Sequence, residues 1–358
     1  MKYVDEYRNK EIAQKILRQI KSISKKKINL MEVCGTHTVA IFRNGIRKIL
    51  PPNINLISGP GCPVCVTPIS YIDEIIALSR QNNFIVTTFG DMIRVPGSTS
   101  SLEKEKADGA DIRIVYSTLD ALNVARNNPT KKVVFMGVGF ETTSPTIASA
   151  VLKSQEEKIN NFSVLSVAKI IPPAMKALLE GKEVNINGFI CPGHVSAVIG
   201  SQPYNFIATQ YKIPCVICGF EPLDILQSIY MLVKQVEAGR AEVEIQYERA
   251  VKPEGNKIAL DKINEIFKVI DSNWRGIGNI PLSGLEIKDK YRKFNARKFE
   301  VEIEETKEPR GCRCGEVLKG VVTPPECPLF RVVCTPENPQ GACMVSTEGT
   351  CAAYYKYN

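Results

Sequence analysis

The sequence predicts an α/β protein with parallel strands, followed by a tail held together through sulfur. Three observations predict this. Short apolar runs alternate with helix-like segments from residue 28 to about residue 240, the pattern of parallel sheets with helical crossovers. Each run ends in a turn rich in glycine, cysteine or threonine, where sheets of this kind carry their ligand sites. Six of the twelve cysteines then crowd into the last stretch, at Cys312, Cys314, Cys327, Cys334, Cys343 and Cys351, among Pro and Gly.

The elements follow in order. Over residues 7–24, Ile12, Ile16, Leu17 and Ile20 recur on one side of an amphipathic helix. Strand-like runs follow at 28–33 before CGTHT, 54–58 before GPGCPVC and 84–88 before FGDMIRVPGS. Further runs are 132–138 before GFETTSP, 186–190 before CPGHVSAVIG and 215–217 before CGFEPLDIL. Pro145 and Pro222, each soon after a run, suit the first turn of a helix. Asn127, Asn128, Pro129 and Thr130 read as a turn or a junction. The expectation is two α/β domains, over 28–128 and 129–240, with every unusual motif at a strand end. If the domains face each other, those motifs line one cleft.

Size and charge narrow the function. The 358 residues suffice for two or three domains, and 44% hydrophobic with 23% charged residues is ordinary for a soluble protein. The net charge of +8 is spread along the chain, with no interleaving of aromatics and Lys/Arg, so no nucleic-acid surface is expected. A mildly basic face could favour an acidic protein partner. The N-terminal stretch has no apolar core or cleavage site, and no apolar run approaches the ~18 residues of a membrane span. A cytoplasmic protein with reduced thiols is expected, whose cysteine pattern reads as metal-binding or catalytic.

Loose periodicity means that something must bind the tail sulfurs: disulfides, zinc or an iron–sulfur cluster. The spacing is C-x-C and then gaps of twelve, six, eight and seven residues, unlike the paired knuckles of structural zinc. Four cluster ligands plus a redox-active pair would account for all six, so spacing and count favour iron–sulfur.

The other motifs each carry a structural alternative. Cys34, at a strand end beside glycine and near His37, reads as a nucleophile or soft metal ligand, or as a small residue buried in a tight turn. Cys62-Pro-Val-Cys65 has the spacing of dithiol redox centres and metal knuckles; with no second knuckle nearby, redox or iron chemistry leads. Cys215 and Cys218 share that spacing but lie in an apolar run, and are expected in the core. Cys191 is ambiguous, and His194 beside it reads as acid, base, ligand or structural histidine. Asp91 and Arg94, and Glu141 with Thr142 and Thr143, could cradle a polar ligand or merely cap helices. No GxxxxGK[ST] loop is present, which argues against P-loop nucleotide binding.

Taken together, MEVCGTHT, GPGCPVCVTP, FGDMIRVPGS, GFETTSPT, CPGHVSAVIG, GFEPLDIL and the tail CRCGEVLKG, CPLF and CTPENPQGACMVSTEGTCAAYYKY closely resemble the HypD family of hydrogenase maturation factors. The resemblance covers essentially the whole chain. It implies two similar α/β domains around a cleft, plus a third domain, here residues 1–27 with 241–358, carrying a [4Fe–4S] cluster. It implies a scaffold with redox activity that assembles the Fe(CN)2CO moiety of [NiFe]-hydrogenases with the chaperone HypC. Cyanide would come from a thiocyanate on HypE.

Motif by motif, the resemblance makes Cys34 the main ligand of the nascent iron, with Cys62 and Cys65 opposite as a dithiol that reduces or binds the intermediate. His37, Glu141 and His194, with Asp91 and Arg94, would line the same cleft. The cluster environment resembles ferredoxin:thioredoxin reductase, implying Cys312, Cys327, Cys334 and Cys351 as ligands and Cys314 with Cys343 as the redox pair. The alternative function is a stand-alone thiol–disulfide oxidoreductase of that reductase type.

Overall fold

The computed structural model describes residues 5–358. Its strands are β1 Ile28–Glu32, β2 Ile54–Ser58, β3 Phe84–Thr88, β4 Ile112–Ile114, β5 Lys132–Gly137, β6 Phe162–Ser166, β7 Gly188–Pro192, β8 Cys215–Cys218, β9 Val243–Ile245, β10 Phe267–Trp274 and β11 Gly278–Ile287. Two sheets are wholly parallel, in the orders β2-β1-β7-β8-β9 and β4-β3-β5-β6. β10 and β11 form an antiparallel hairpin. Every residue of β3, β6, β7 and β8 is buried, as strands covered by helices on both faces must be. Their continuous apolar runs are therefore the sequence signal for a parallel sheet.

Numbered within its own sheet, each unit begins with the order 2-1-3-4, so the two α/β units are topologically alike. Their boundaries differ from expectation. The chain lays down β1 and β2, leaves to build the whole of the second sheet from β3 to β6, then returns to place β7 beside β1 in the register Leu30↔Gly188. The break expected at 128/129 falls inside the second sheet, where Phe84 pairs with Lys132. The Asn-Pro segment there is a turn between the helix Thr118–Asn127 and β5.

The expected third unit is also redistributed. The helix Lys10–Ile23, begun by the Asn9 side chain accepting from the Glu11 and Ile12 amides, packs on the helix Pro222–Glu237 of the first unit. Ile20 is fully buried there, whereas Ile12 remains exposed. Residues 1–4 of that expected unit lie outside the described residues. β9 completes the first sheet, and the helix Lys257–Ile266 and the hairpin join the core of the second through Ile266, Phe267, Leu285 and Ile287. Only the segment from Cys312 onward forms the cysteine-rich part. It docks on the first unit: its last helix, Thr350–Tyr357, lies against Gly35–Arg43, and Ala342–Val345 lies against Pro63–Val66. Among the described residues no helix is long and apolar enough to cross a membrane.

Candidate functional site

In open α/β sheets the ligand site lies where neighbouring crossovers leave in opposite directions, beyond the carboxyl ends of the strands. In the first sheet that point is between β1 and β7, and the residues just past these ends are Cys34 and His194. Cys34 has extended backbone and occupies the N-cap position of the helix Gly35–Arg43. Burial lifts its thiol to about 11, and the nearby Glu348 carboxylate adds to this, while the His37 and Thr36 amides point at the sulfur and work the other way.

Two glycines make the close packing possible. A Cβ on Gly61 would lie 2.2 Å from the Cys34 nitrogen, so only glycine lets the GPGCPVC loop lie on the Cys34 turn, where the Gly35 amide donates to Gly61 O at 2.9 Å. A Cβ on Gly35 would meet Glu348 at 2.6 Å. Glu348 arrives from the tail, and its Oε1 accepts from the Thr36 hydroxyl at 2.6 Å.

Behind Cys34, His37 is fully buried. Its Nε2 lies 3.1 Å from Cys218 O and 2.9 Å from Gly219 O; both are acceptors, so Nε2 carries the proton. Nδ1 is then a buried lone pair without a partner. Burial lowers its pKa to about 4, so the ring is neutral. Phe220 stacks between this ring and that of His194, at centroid distances of 4.7 and 3.9 Å. His194 is at the surface; its partial burial lowers its pKa and Glu348 opposes this.

The dithiol also meets the tail. Cys62 opens the short helix Pro63–Val66, its sulfur accepts from the Cys65 amide at 3.3 Å, and the two sulfurs stand 2.6 Å apart as free thiols. Cys65 is fully buried, which raises its pKa well above the ordinary thiol range, and its sulfur donates to Ala342 O of the tail at 3.9 Å. Cys343, Cys314, Cys351 and Cys312 lie close enough to shift one another's thiol ionisation. Cys62, Cys65, Cys314, Cys334, Cys343 and Cys351 therefore share one buried core, with Cys312 packed against it. All six tail cysteines line one small chamber with Val317, Leu329, Phe330 and Met344. No histidine or carboxylate shares this lining, so the donor set is purely soft. The thiols nearly fill the chamber, and among the described residues no three His, Cys, Asp or Glu side chains form a ready metal site.

Comparison with known proteins fixes the family. The HypD sequence model, described as "Hydrogenase formation hypA family", matches residues 10–358. The chain is 46% identical over 368 residues to the hydrogenase maturation factor HypD of Cupriavidus necator, covering 100% of this chain and 97% of that protein. It is 47% identical over 367 residues to the hydrogenase expression/formation protein HupD of Azotobacter chroococcum, with 100% and 97% covered. With the maturation factor HypD of Escherichia coli K12 it shares 44% over 366 residues, with 100% and 98% covered. The chain belongs to the HypD family. Its work is hydrogenase maturation.

Within that HypD framework, the residues singled out from sequence fall into three groups. Cys34, His37 and His194 cluster at the first switch point, although His37 is an inner support rather than a cleft wall. Cys62 and Cys65 follow Gly61, whose backbone packs on the Cys34 turn, and the Cys65 sulfur reaches Ala342 O of the tail. Glu141 is apart from both. It is buried beyond β5, and its Oε1 accepts from the Ile171 amide at 3.0 Å, capping the helix Ile171–Gly181. Burial lifts this carboxyl to about 7, and Oε2 has no partner.

Asp91 and Arg94 hold the tail, accepting from the Ser346 hydroxyl at 3.1 Å and donating to Pro336 O at 2.5 Å. Cys215 and Cys218 are fully buried, as expected, and Cys191 touches Cys215 in the core. Sequence reading missed Glu348 and Phe220. Both lie in quoted motifs, but only the fold brings them to Cys34.

Proposed function

We propose that the chain is the scaffold on which the Fe(CN)2CO unit of [NiFe]-hydrogenase is put together, in the cytoplasm and in complex with HypC and HypE. Iron is the cargo. Cys34 holds it together with a cysteine of HypC, and the cyanide donor is a thiocyanate on the C-terminal cysteine of HypE. The observation that carries this reading is one thiol at the topological switch point, faced by two helix N-terminal amides, with the loop that carries the Cys62–Cys65 dithiol packed on its turn. Thiolates are soft donors suited to low-spin iron. Loading displaces the proton that burial keeps on Cys34, and the Thr36 and His37 amides are placed to receive the thiolate charge.

Electron counting gives the dithiol its task. Moving cyanide from R–S–C≡N to iron breaks the S–C bond and consumes two electrons, leaving R–S⁻ and iron-bound CN⁻. Cys62 and Cys65 supply the pair by closing a disulfide and releasing two protons. Two cyanides require two such closures. Cys343, already against Cys65, can attack that disulfide, pass through a mixed Cys65–Cys343 disulfide and end bonded to Cys314. The soft, carboxylate-free lining suits Cys312, Cys327, Cys334 and Cys351 to hold a [4Fe–4S] cluster, which when bound would supply single electrons beside that pair.

The test is Cys34→Ala copurified with HypC. The infrared bands of iron-bound cyanide and carbon monoxide should vanish while the tail keeps its iron and sulfide. Unchanged bands would overturn the assignment.

A further inference from the structure

The turn between β10 and β11 carries a buried cation. The Arg275 side chain is only 3% exposed, and its Nε has no hydrogen-bond partner among the described residues. The acid within reach is Glu308, whose Oε1 stands 3.7 Å from that nitrogen, too far for a hydrogen bond. Glu308 is itself 61% exposed, so water screens what it offers. A guanidinium cannot shed its charge to escape burial, as a lysine can. A buried charge left in this state weakens a fold unless something else compensates it.

Backbone sets where this cation lies. The Arg275 amide donates to Val66 O at 2.9 Å, one residue past Cys65. Gly276 follows with φ +75°, and a Cβ on it would stand 2.0 Å from the Gly315 Cα. Only glycine therefore lets the turn lie on the start of the helix Cys314–Lys319. Arg275 is lodged where the dithiol helix, the hairpin and the C-x-C segment of the tail meet. Cys314 and burial push the Cys312 thiol up, and the Arg275 charge is near enough to oppose them. Both contacts that seat the turn are made by backbone atoms, so a long charged side chain is not needed to hold it.

We propose that Arg275 is the counter-charge of the tail chamber, holding the negative charge of a thiolate-ligated iron–sulfur cluster. This rests on the reading of the tail cysteines as cluster ligands. A [4Fe–4S] cubane with its cysteine thiolates carries net negative charge, which grows on reduction. Beside such an anion the buried guanidinium gains a strong attraction, because little water screens the pair. Without it the same cation works against folding. Arg275 thus couples cluster loading to the stability of the joint between tail and hairpin.

The test uses the full chain, purified anaerobically with its cluster and, after chelation, free of iron. Arg275→Met keeps an apolar stem without the charge, and Arg275→Lys keeps the charge. Free of iron, Arg275→Met should unfold at a higher urea midpoint than wild type. Loaded, it should release iron to a chelator about tenfold faster. Its cluster should also be harder to reduce by about 59 mV, a tenfold shift of a one-electron equilibrium. Arg275→Lys should restore most of both losses. Iron release and potential unchanged in Arg275→Met would show a side chain that only fills space, and would overturn the counter-charge. A wild type that takes up no iron and sulfide would instead refute the cluster reading, and this proposal would fall with it.

Discussion

The two parallel sheets share one strand order, yet their switch points do opposite things. Between β1 and β7 the residues past the strand ends are Cys34, a thiol faced by the Thr36 and His37 amides, and His194, a surface imidazole stacked on Phe220. Between β3 and β5 the charged residues past the strand ends are Asp91 and Glu141, and each has one carboxylate oxygen engaged: one holds Ser346 of the tail, the other caps a helix while its second oxygen has no partner. The tail joins the two points, since Ser346 reaches Asp91 and Glu348, two residues on, reaches Thr36 beside Cys34. Topology therefore nominates both positions equally. What separates the two points is the donor set: a thiol and an imidazole at the first, carboxylates that hold neighbouring segments at the second.

The sharpest way to break this contrast is to add one carbon at each point. At Gly61 a Cβ would sit 2.2 Å from backbone atoms of Cys34, so Gly61→Ala must push the two cysteine-bearing loops apart. A loss of about 3 kcal/mol or more is expected in urea unfolding, together with loss of hydrogenase maturation in cells relying on the variant. At Gly90 the nearest neighbour of a new Cβ is Ile114 Cγ2 at 3.8 Å, ordinary contact, so Gly90→Ala should change stability by less than about 0.5 kcal/mol. Comparable losses at both would mean that the first switch point is not specially tight.

Much of this was legible in the sequence, for a physical reason. β3 is buried at every residue and β2, an edge strand, alternates buried Ile54, Leu56 and Ser58 with more open Asn55 and Ile57, so both were readable to the residue at 84–88 and 54–58. Strand pairing is another matter. Nothing local distinguishes a strand that joins β1 from one that joins β3, so the return of the chain at β7 was invisible and the domain boundary was misplaced. Cys34, Cys62 and Cys65 stood out as candidates because cysteine beside glycine at a strand end is an unusual combination, and the fold sets their two loops together. Glu348 did not, because a glutamate in a polar tail looks solvated until the fold sets it against Thr36. Glu141 was read as either ligand cradle or cap; the fold makes it a cap for a helix thirty residues on, a partner no spacing rule reaches.

That buried carboxyl supplies a second test. With a pKa of about 7 in the fold against an ordinary 4.5, Glu141 keeps its proton more tightly when folded, so its contribution is full at low pH and is lost as pH rises through 7. Between pH 5 and pH 8 this amounts to at most on the order of 3 kcal/mol of lost stability. Buried Lys169, lowered to about 7 from an ordinary 10.5, has the opposite sign and adds stability above pH 7. Glu141→Gln should therefore flatten the acid-side fall in urea midpoints and leave the alkaline rise intact. A variant that keeps the acid-side slope would show that Glu141 is not the titrating group.

The smallest effect concerns the strut itself. Asp91 is exposed, and its contact with Ser346 is a single hydrogen bond, so Asp91→Ala should cost only about 0.5–1 kcal/mol. The consequence should be local. Ser346 is two residues from Glu348, so freeing it should loosen the segment that reaches Cys34, raising amide hydrogen exchange over residues 343–349 while the second sheet stays protected. If exchange rises across β3 and β5 instead, Asp91 supports its own sheet, and the tail does not link the two switch points.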